Sequence, residues 1–235
     1  MKSIIIASTS TIHGSGYLEY LLDELKLHFK SVDEILFIPY ARPGGISHDE
    51  YTQIASKAFN SIGKSVKGIH DFKNPKDAIA NAQGIFVGGG NTFVLVNQLY
   101  KNDVLASIKN AINKGTPYLG TSAGSNICGL TLNTTNDMPI VYPPSFKTLG
   151  LVPFNINPHY LDPIHGSTHM GETRETRIKE FHAFNTQPVI GLREGSWIDV
   201  KDNSLTLKGT LEARIFERDK APYEIVINSD LGFLK

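Results

Sequence analysis

The chain has 235 residues, 40% hydrophobic and 20% charged with 21 Gly and 12 Pro, which is the make-up of a packed globular protein and excludes a disordered or fibrous chain. Lys plus Arg and Asp plus Glu both number 23, so no net field favours nucleic acid or anionic lipid, and small-molecule chemistry is the better expectation. The start MKSIIIASTS holds only a short apolar run, which argues against a leader or membrane span and for a cytoplasmic location, and the lone Cys128 excludes an internal disulfide and a multi-cysteine metal site.

Residues 3–7 are β-rich and read as a first strand, followed over 17–30 by Leu18, Leu21, Leu22 and Leu25 at helical spacing. A second strand is expected over 34–40. Ser47 with Glu50 three residues later forms a capping box that opens a helix towards Ile62. Strands over 66–72, 84–87 and 117–120 continue the alternation, separated by helices over 75–82 and 92–114, the latter closed by Gly115. Beyond Gly150 the runs 189–200, 204–207, 213–217 and 224–227 read as antiparallel strands joined by tight turns. With no linker, repeat or low-complexity segment, residues 1–235 are expected to form a single α/β domain, a mostly parallel sheet covered by helices.

Gly120-Thr121-Ser122-Ala123-Gly124 has the G-x-S-x-G form of a nucleophile elbow, in which a serine sits on a strand-to-helix turn between small neighbours. A strand before it and a helix over 123–130 supply the required context. The Ala123 amide, at the helix start, is a candidate oxyanion donor. Gly88-Gly89-Gly90-Asn91 ends another expected strand, so Gly89 and Gly90 can bring bare backbone close to a substrate carbonyl. A serine needs a base, and eight histidines compete for the role. His159, in Asn157-Pro158-His159-Tyr160, is favoured because proline stiffens its loop; His165 and His169 lie in a Gly/Ser-rich stretch, His182 on a core-like helix, and His13, His28, His48 and His70 read as surface residues. Glu194 and Asp137 are both candidates for the carboxylate, and spacing does not choose between them.

Taken together, Gly88-Gly89-Gly90-Asn91-Thr92, Gly120-Thr121-Ser122-Ala123-Gly124-Ser125, Asn136-Asp137-Met138-Pro139, Asn157-Pro158-His159, Gly171-Glu172-Thr173-Arg174-Glu175 and Leu192-Arg193-Glu194-Gly195 resemble the peptidase E (α-aspartyl dipeptidase) family of serine peptidases. The resemblance spans nearly the whole chain. It implies a three-layer α/β/α fold like that of class I glutamine amidotransferases, with serine in place of their cysteine, and hydrolysis of Asp-X dipeptides without metal or other cofactor. It also implies Ser122 as nucleophile, His159 as general base, and Glu194 as the orienter of His159, with Asp137 kept as a further candidate for the acidic role.

A substrate aspartate calls for a guanidinium and its free amine for an anion. Arg174 and Arg177 share a helix face beside Glu172, and these three with Asn91 are the candidate substrate-binding residues; residues 166–171 are a candidate closing loop. The expected partner is a small peptide, and the expected assembly a monomer or homodimer. Two rivals stand beside this reading: a serine hydrolase of the same fold cleaving β-aspartyl or cyanophycin-type links, and a non-catalytic anion-binding regulator.

Overall fold

The computed structural model describes residues 2–163, 166, 168 and 171–234. Its first strand, β1 (Ser3–Ala7), sends Ile4 and Ile6 to one face and Ile5 and Ala7 to the other, and both faces are buried. A strand apolar on both sides belongs inside a sheet covered by helices. Around β1 are arranged β2 (Glu34–Ile38), β3 (Ser65–Gly68), β4 (Gly84–Val87) and β5 (Tyr118–Thr121), all parallel, in the order β3-β2-β4-β5-β1. Helices α1 (Leu22–His28) and α2 (His48–Asn60) cover one face, where Leu25, Phe29, Tyr51 and Phe59 pack against Phe37 and Phe86. On the other face lie α3 (Pro75–Ala80), α4 (Thr92–Lys101) and α5 (Leu105–Asn113), with Leu95, Leu99, Ile108 and Ile112 against Ile85 and Val87. The expected α/β/α layering is therefore present. Both bonds of the Ser47–Glu50 capping box form at the start of α2.

Past β5 come the four-residue helix α6 (Ala123–Asn126), β6 (Asn155–Pro158) and α7 (Arg174–Phe184). Next are β7 (Val189–Leu192), β8 (Ser196–Lys201), β9 (Ser204–Gly209), β10 (Ala213–Phe216) and β11 (Tyr223–Ile225). Strands β8 and β9 extend the main sheet antiparallel beside β1, giving seven strands. The others form a second sheet, β11-β10-β7-β6, in which β6 and β7 are parallel. The continuous strand expected over 189–200 is thus two strands in two sheets, broken at Arg193–Gly195, where Gly195 takes φ +84°. That break exposes Glu194 at a strand end.

Three other expectations need correction. The helix over 92–114 is interrupted at Asp103, whose φ is +50°, so α4 and α5 pack as separate pieces. Residues 69–71 form a turn of 3₁₀ helix rather than continuing β3. The helix after the elbow stops at Asn126, because Cys128 and Gly129 bond three residues back and Gly129 packs against the Phe154 carbonyl. Cys128 is fully buried, and burial pushes its thiol up to about 12. Among the described residues no helix is long and apolar enough to cross a membrane.

Candidate active site

Strands β1, β4 and β5 all end on the same edge of the sheet, and the elbow stands there, at the carboxyl ends where open α/β sheets bind ligands. Ser122 adopts φ +53° and ψ −110°, a conformation that costs a non-glycine residue about 1–3 kcal/mol. Its surroundings impose it. The Ser122 amide donates to Ala7 O at 3.2 Å, while Ser125 and Asn126 donate to Ser122 O, each at 2.9 Å. Ser125 Oγ lies 2.6 Å from Ala7 O and 2.7 Å from Gly120 O, and Tyr118 OH donates to Gly124 O at 2.8 Å. The motif's glycines are required by close approach: a Cβ on Gly124 would stand 2.2 Å from Val87 O.

His159 follows β6 and Glu194 follows β7, and the parallel pairing of Pro158 with Leu192 brings the two strand ends side by side. His159 Nε2 lies 2.9 Å from Ser122 Oγ, and Nδ1 lies 2.6 Å from Glu194 Oε1. Ser122, His159 and Glu194 therefore form one continuous hydrogen-bonded line, an arrangement able to activate a serine hydroxyl. His159 is on fixed backbone: its N donates to Ser8 Oγ at 2.9 Å, and Ser8 Oγ donates to Leu192 O at 2.7 Å. One buried hydroxyl at the end of β1 thus braces both strand ends.

Asp137 lies elsewhere. Its Oδ2 accepts from Thr92 N at 2.7 Å, Thr92 Oγ1 at 2.6 Å and Thr135 Oγ1 at 2.8 Å, so it anchors the 134–138 segment at the amino end of α4. Asn91 is likewise engaged within the fold. Its Oδ1 caps α4 through Val94 N at 3.1 Å and its Nδ2 donates to Met138 O at 2.9 Å, which gives its amide a structural role. The neighbouring Asn136 donates to Pro158 O at 2.6 Å, and Asn157 donates to Asn136 Oδ1 at 2.7 Å, tying this segment to the stem of His159.

The Gly88–Asn91 turn packs directly on Ser122: a Cβ on Gly89 would lie 2.9 Å from Ser122 Cβ. Gly90, at φ +141°, lies so close to Ala41 that a Cβ would be 2.3 Å from its carbonyl oxygen. Tyr51 OH donates to Gly89 O at 3.1 Å and Asn91 N to Ala41 O at 2.7 Å, and these two bonds fix the peptide orientation. Among the described residues the amides of Gly89, Gly90 and Ala123 have no acceptor, which suits donors kept for a developing oxyanion.

Arg174 opens α7 and is half-buried, whereas Glu172 and Arg177 are exposed. Burial and the like charge of Arg177 lower the Arg174 pKa, partly offset by Asp137, and among the described residues Arg174 has no ion-pair partner. A partly desolvated guanidinium left unpaired is suited to an anion from outside. Of the candidate closing loop, residues 167, 169 and 170 lie outside the described residues, as do His165 and His169. His28 is not the surface residue expected: Nε2 lies 3.1 Å from Tyr118 O, and burial pushes its pKa down to about 4. Ser8 braces the site and was missed by the sequence reading. For Ser8 the available signal was a polar residue directly after an apolar strand, at the sheet edge where sites form.

A family model described as peptidase family S51 matches residues 4–208. A Streptomyces coelicolor protein named peptidase E is 47% identical over 232 residues, covering 99% of this chain and 94% of the relative. A Drosophila melanogaster protein named "Probable alpha-aspartyl dipeptidase" is 45% identical over 236 residues, covering 99% and 97%. The crystal structure of a peptidase from an acI-B1 actinobacterium superposes with a TM-score of 0.73 at 15% identity, covering 98% and 96% of the two chains, and so shares the fold. By the matched family model and these full-length relatives, the chain belongs to peptidase family S51.

Proposed function

We propose that this protein is a serine dipeptidase that hydrolyses dipeptides with an N-terminal aspartate, using Ser122, His159 and Glu194. The observation that carries the reading is the unbroken line from Ser122 Oγ through His159 to Glu194, at 2.9 and 2.6 Å. In this mechanism His159 Nε2 takes the Ser122 proton as Oγ attacks the peptide carbonyl, and the amides of Gly89, Gly90 and Ala123 receive the oxyanion. The imidazolium, stabilised by Glu194, then protonates the departing amine as the C–N bond breaks. Water, deprotonated by the same imidazole, attacks the acyl ester; its collapse frees aspartate and returns the proton to Ser122. No step calls on a metal.

Substrate selection is assigned to charge. Arg174 pairs with the aspartyl side-chain carboxylate, Arg177 adds positive field at the same end of α7, and Glu172 meets the free amine. Because Arg174 is only half-buried, the low end of the range for a broken charge pair applies, about 2 kcal/mol or roughly 30-fold. The test is kcat/KM on Asp-Leu, Asn-Leu and β-linked Asp-Leu with purified protein. Asp-Leu is expected to exceed Asn-Leu by about 30-fold and the β-linked isomer to be poor. Equal rates on Asp-Leu and Asn-Leu would refute the aspartyl reading, and preferential cleavage of the β-linkage would move the enzyme to the isopeptide class.

A further inference from the structure

A chain of alternating charges that the catalytic steps do not use joins the catalytic pair to α7. Arg193 immediately precedes Glu194. Its Nε and Nη2 donate to the two oxygens of Asp162, both at 2.8 Å, and Nη1 and Nη2 donate to Glu224 at 2.8 and 3.1 Å. Nη1 also donates to Glu212 O at 2.7 Å, and the guanidinium lies 5.5 Å from the ring centroid of Tyr160, the residue after His159. Tyr160 rests on Gly191, where a Cβ would stand 2.7 Å from its ring. Arg193 thus ties the segment that follows His159, at Tyr160 and Asp162, to the turn that carries Glu194.

The same Glu224 carboxylate takes a second arginine. Arg214 Nη1 donates to Glu224 Oε1 at 2.7 Å, and Arg214 Nη2 pairs with Glu175 Oε2 at 3.0 Å. Glu175 is the second residue of α7, next to Arg174. Strand register builds this: Arg214 is opposite Gly191 on one side and Glu224 on the other, so the groups share one face of the second sheet. The chain is not a loose surface feature, since Arg193 and Glu175 are 15% and 18% exposed, and planar guanidinium forks fix direction as well as charge.

We infer that Arg193 and Arg214, bridged by Glu224, are positioning residues with separable tasks: Arg193 holds the His159–Glu194 pair, and Arg214 holds α7 so that Arg174 meets the substrate carboxylate. The second task rests on the reading of Arg174 given above. The geometry separates the two by their partners: Arg193 is the one that pairs with Asp162 and lies over the Tyr160 ring, and Arg214 is the one that pairs with α7, through Glu175.

The experiment compares Arg193→Met and Arg214→Met with wild type, with folding checked by thermal melts. Each is assayed for kcat and KM on Asp-Leu and for the rate at which a small neutral fluorophosphonate labels Ser122, a reaction that does not need Arg174. For Arg214→Met the expectation is a KM raised about tenfold, with kcat and labelling within about threefold of wild type. Arg193→Met should lower kcat and labelling about tenfold with KM nearly unchanged. Should either variant fail to fold, Glu175→Gln replaces Arg214→Met and Asp162→Asn replaces Arg193→Met, with the same respective expectations. The same pattern of loss in both variants, or an unchanged KM in folded Arg214→Met, overturns the inference. If wild type fails to prefer Asp-Leu over Asn-Leu, the Arg174 reading falls, and the Arg193 task is still decided by labelling.

Discussion

Replacing Glu194 by Gln keeps the shape of the orienter but removes its charge and lets its amide donate, which can hold His159 in the wrong tautomer. The size of the effect follows from exposure. The Nδ1–Oε1 pair is 2.6 Å apart, but the His159 and Glu194 side chains are 35% and 44% exposed, so the dielectric around them lies between water and a typical protein surface. Opposite charges about 4 Å apart gain about 1 kcal/mol in water and about 4 kcal/mol at an effective dielectric of 20. An intermediate value of about 2–3 kcal/mol predicts a kcat loss of roughly 30- to 150-fold, well short of the ~10⁴ seen when the orienting carboxylate of a serine triad is buried. Asp137→Asn is the control. Its carboxylate holds Thr92 and Thr135, so its loss should lower stability by about 2 kcal/mol, seen in chemical unfolding, with kcat within about threefold. Steady-state kinetics of both variants on Asp-Leu decide the matter. A roughly hundredfold kcat loss in Asp137→Asn beside near-normal Glu194→Gln would refute the argument.

Ser122→Ala should abolish turnover and fluorophosphonate labelling with little change in melting temperature, because one oxygen leaves and the elbow's backbone bonds stay; turnover near wild type by the folded variant would dismiss the nucleophile. Gly89→Ala places a methyl 2.9 Å from Ser122 Cβ, so kcat should fall about tenfold or more while the protein remains folded; a kcat equal to wild type would remove Gly89 from the oxyanion site. Burial holds His28 neutral down to a pKa of about 4, whereas an unfolded histidine titrates near 6.5. The unfolded chain therefore binds the extra proton first, and this group's stabilisation, full above about pH 6.5, is lost as pH falls towards 4. Between pH 6.5 and 4.5 wild type should lose about 2 kcal/mol more than His28→Gln in urea unfolding, and parallel pH profiles would contradict this.

What the sequence made legible divides by the range of the interactions involved. The elbow is local: Gly120, Gly124 and Ser125 act within five residues of one another, and a strand of the right length precedes them, so the motif and its place could be read directly. The same holds for the Ser47–Glu50 box, whose two bonds span three residues. The break at Asp103 carries neither Gly nor Pro; its local signal, an Asn102-Asp103 pair of residue types that tolerate positive φ, is weak beside apolar residues that keep helical spacing on both sides.

The acidic member is a different kind of problem. Asp137 and Glu194 both stand in turns, both carry the same chemistry, and composition treats them alike. What separates them is that β6 and β7 pair in a register that sets Pro158 beside Leu192, and that Ser8, about 150 residues from His159 in the chain, bonds to both strand ends. The parallel pairing of β6 with β7 requires a long crossover through α7, and such contacts are encoded by burial patterns spread over the chain rather than by a motif. The family resemblance reached Glu194 because its motifs record the outcome of that packing. The physical reason appears only with the second sheet in view: by leaving the main sheet at β6 and β7, the chain obtains two adjacent strand ends, one for the base and one for its carboxylate, facing a serine that the main sheet holds. A substitution that shifts this register by one residue would turn Glu194 to the opposite face and separate it from His159 while leaving the elbow intact.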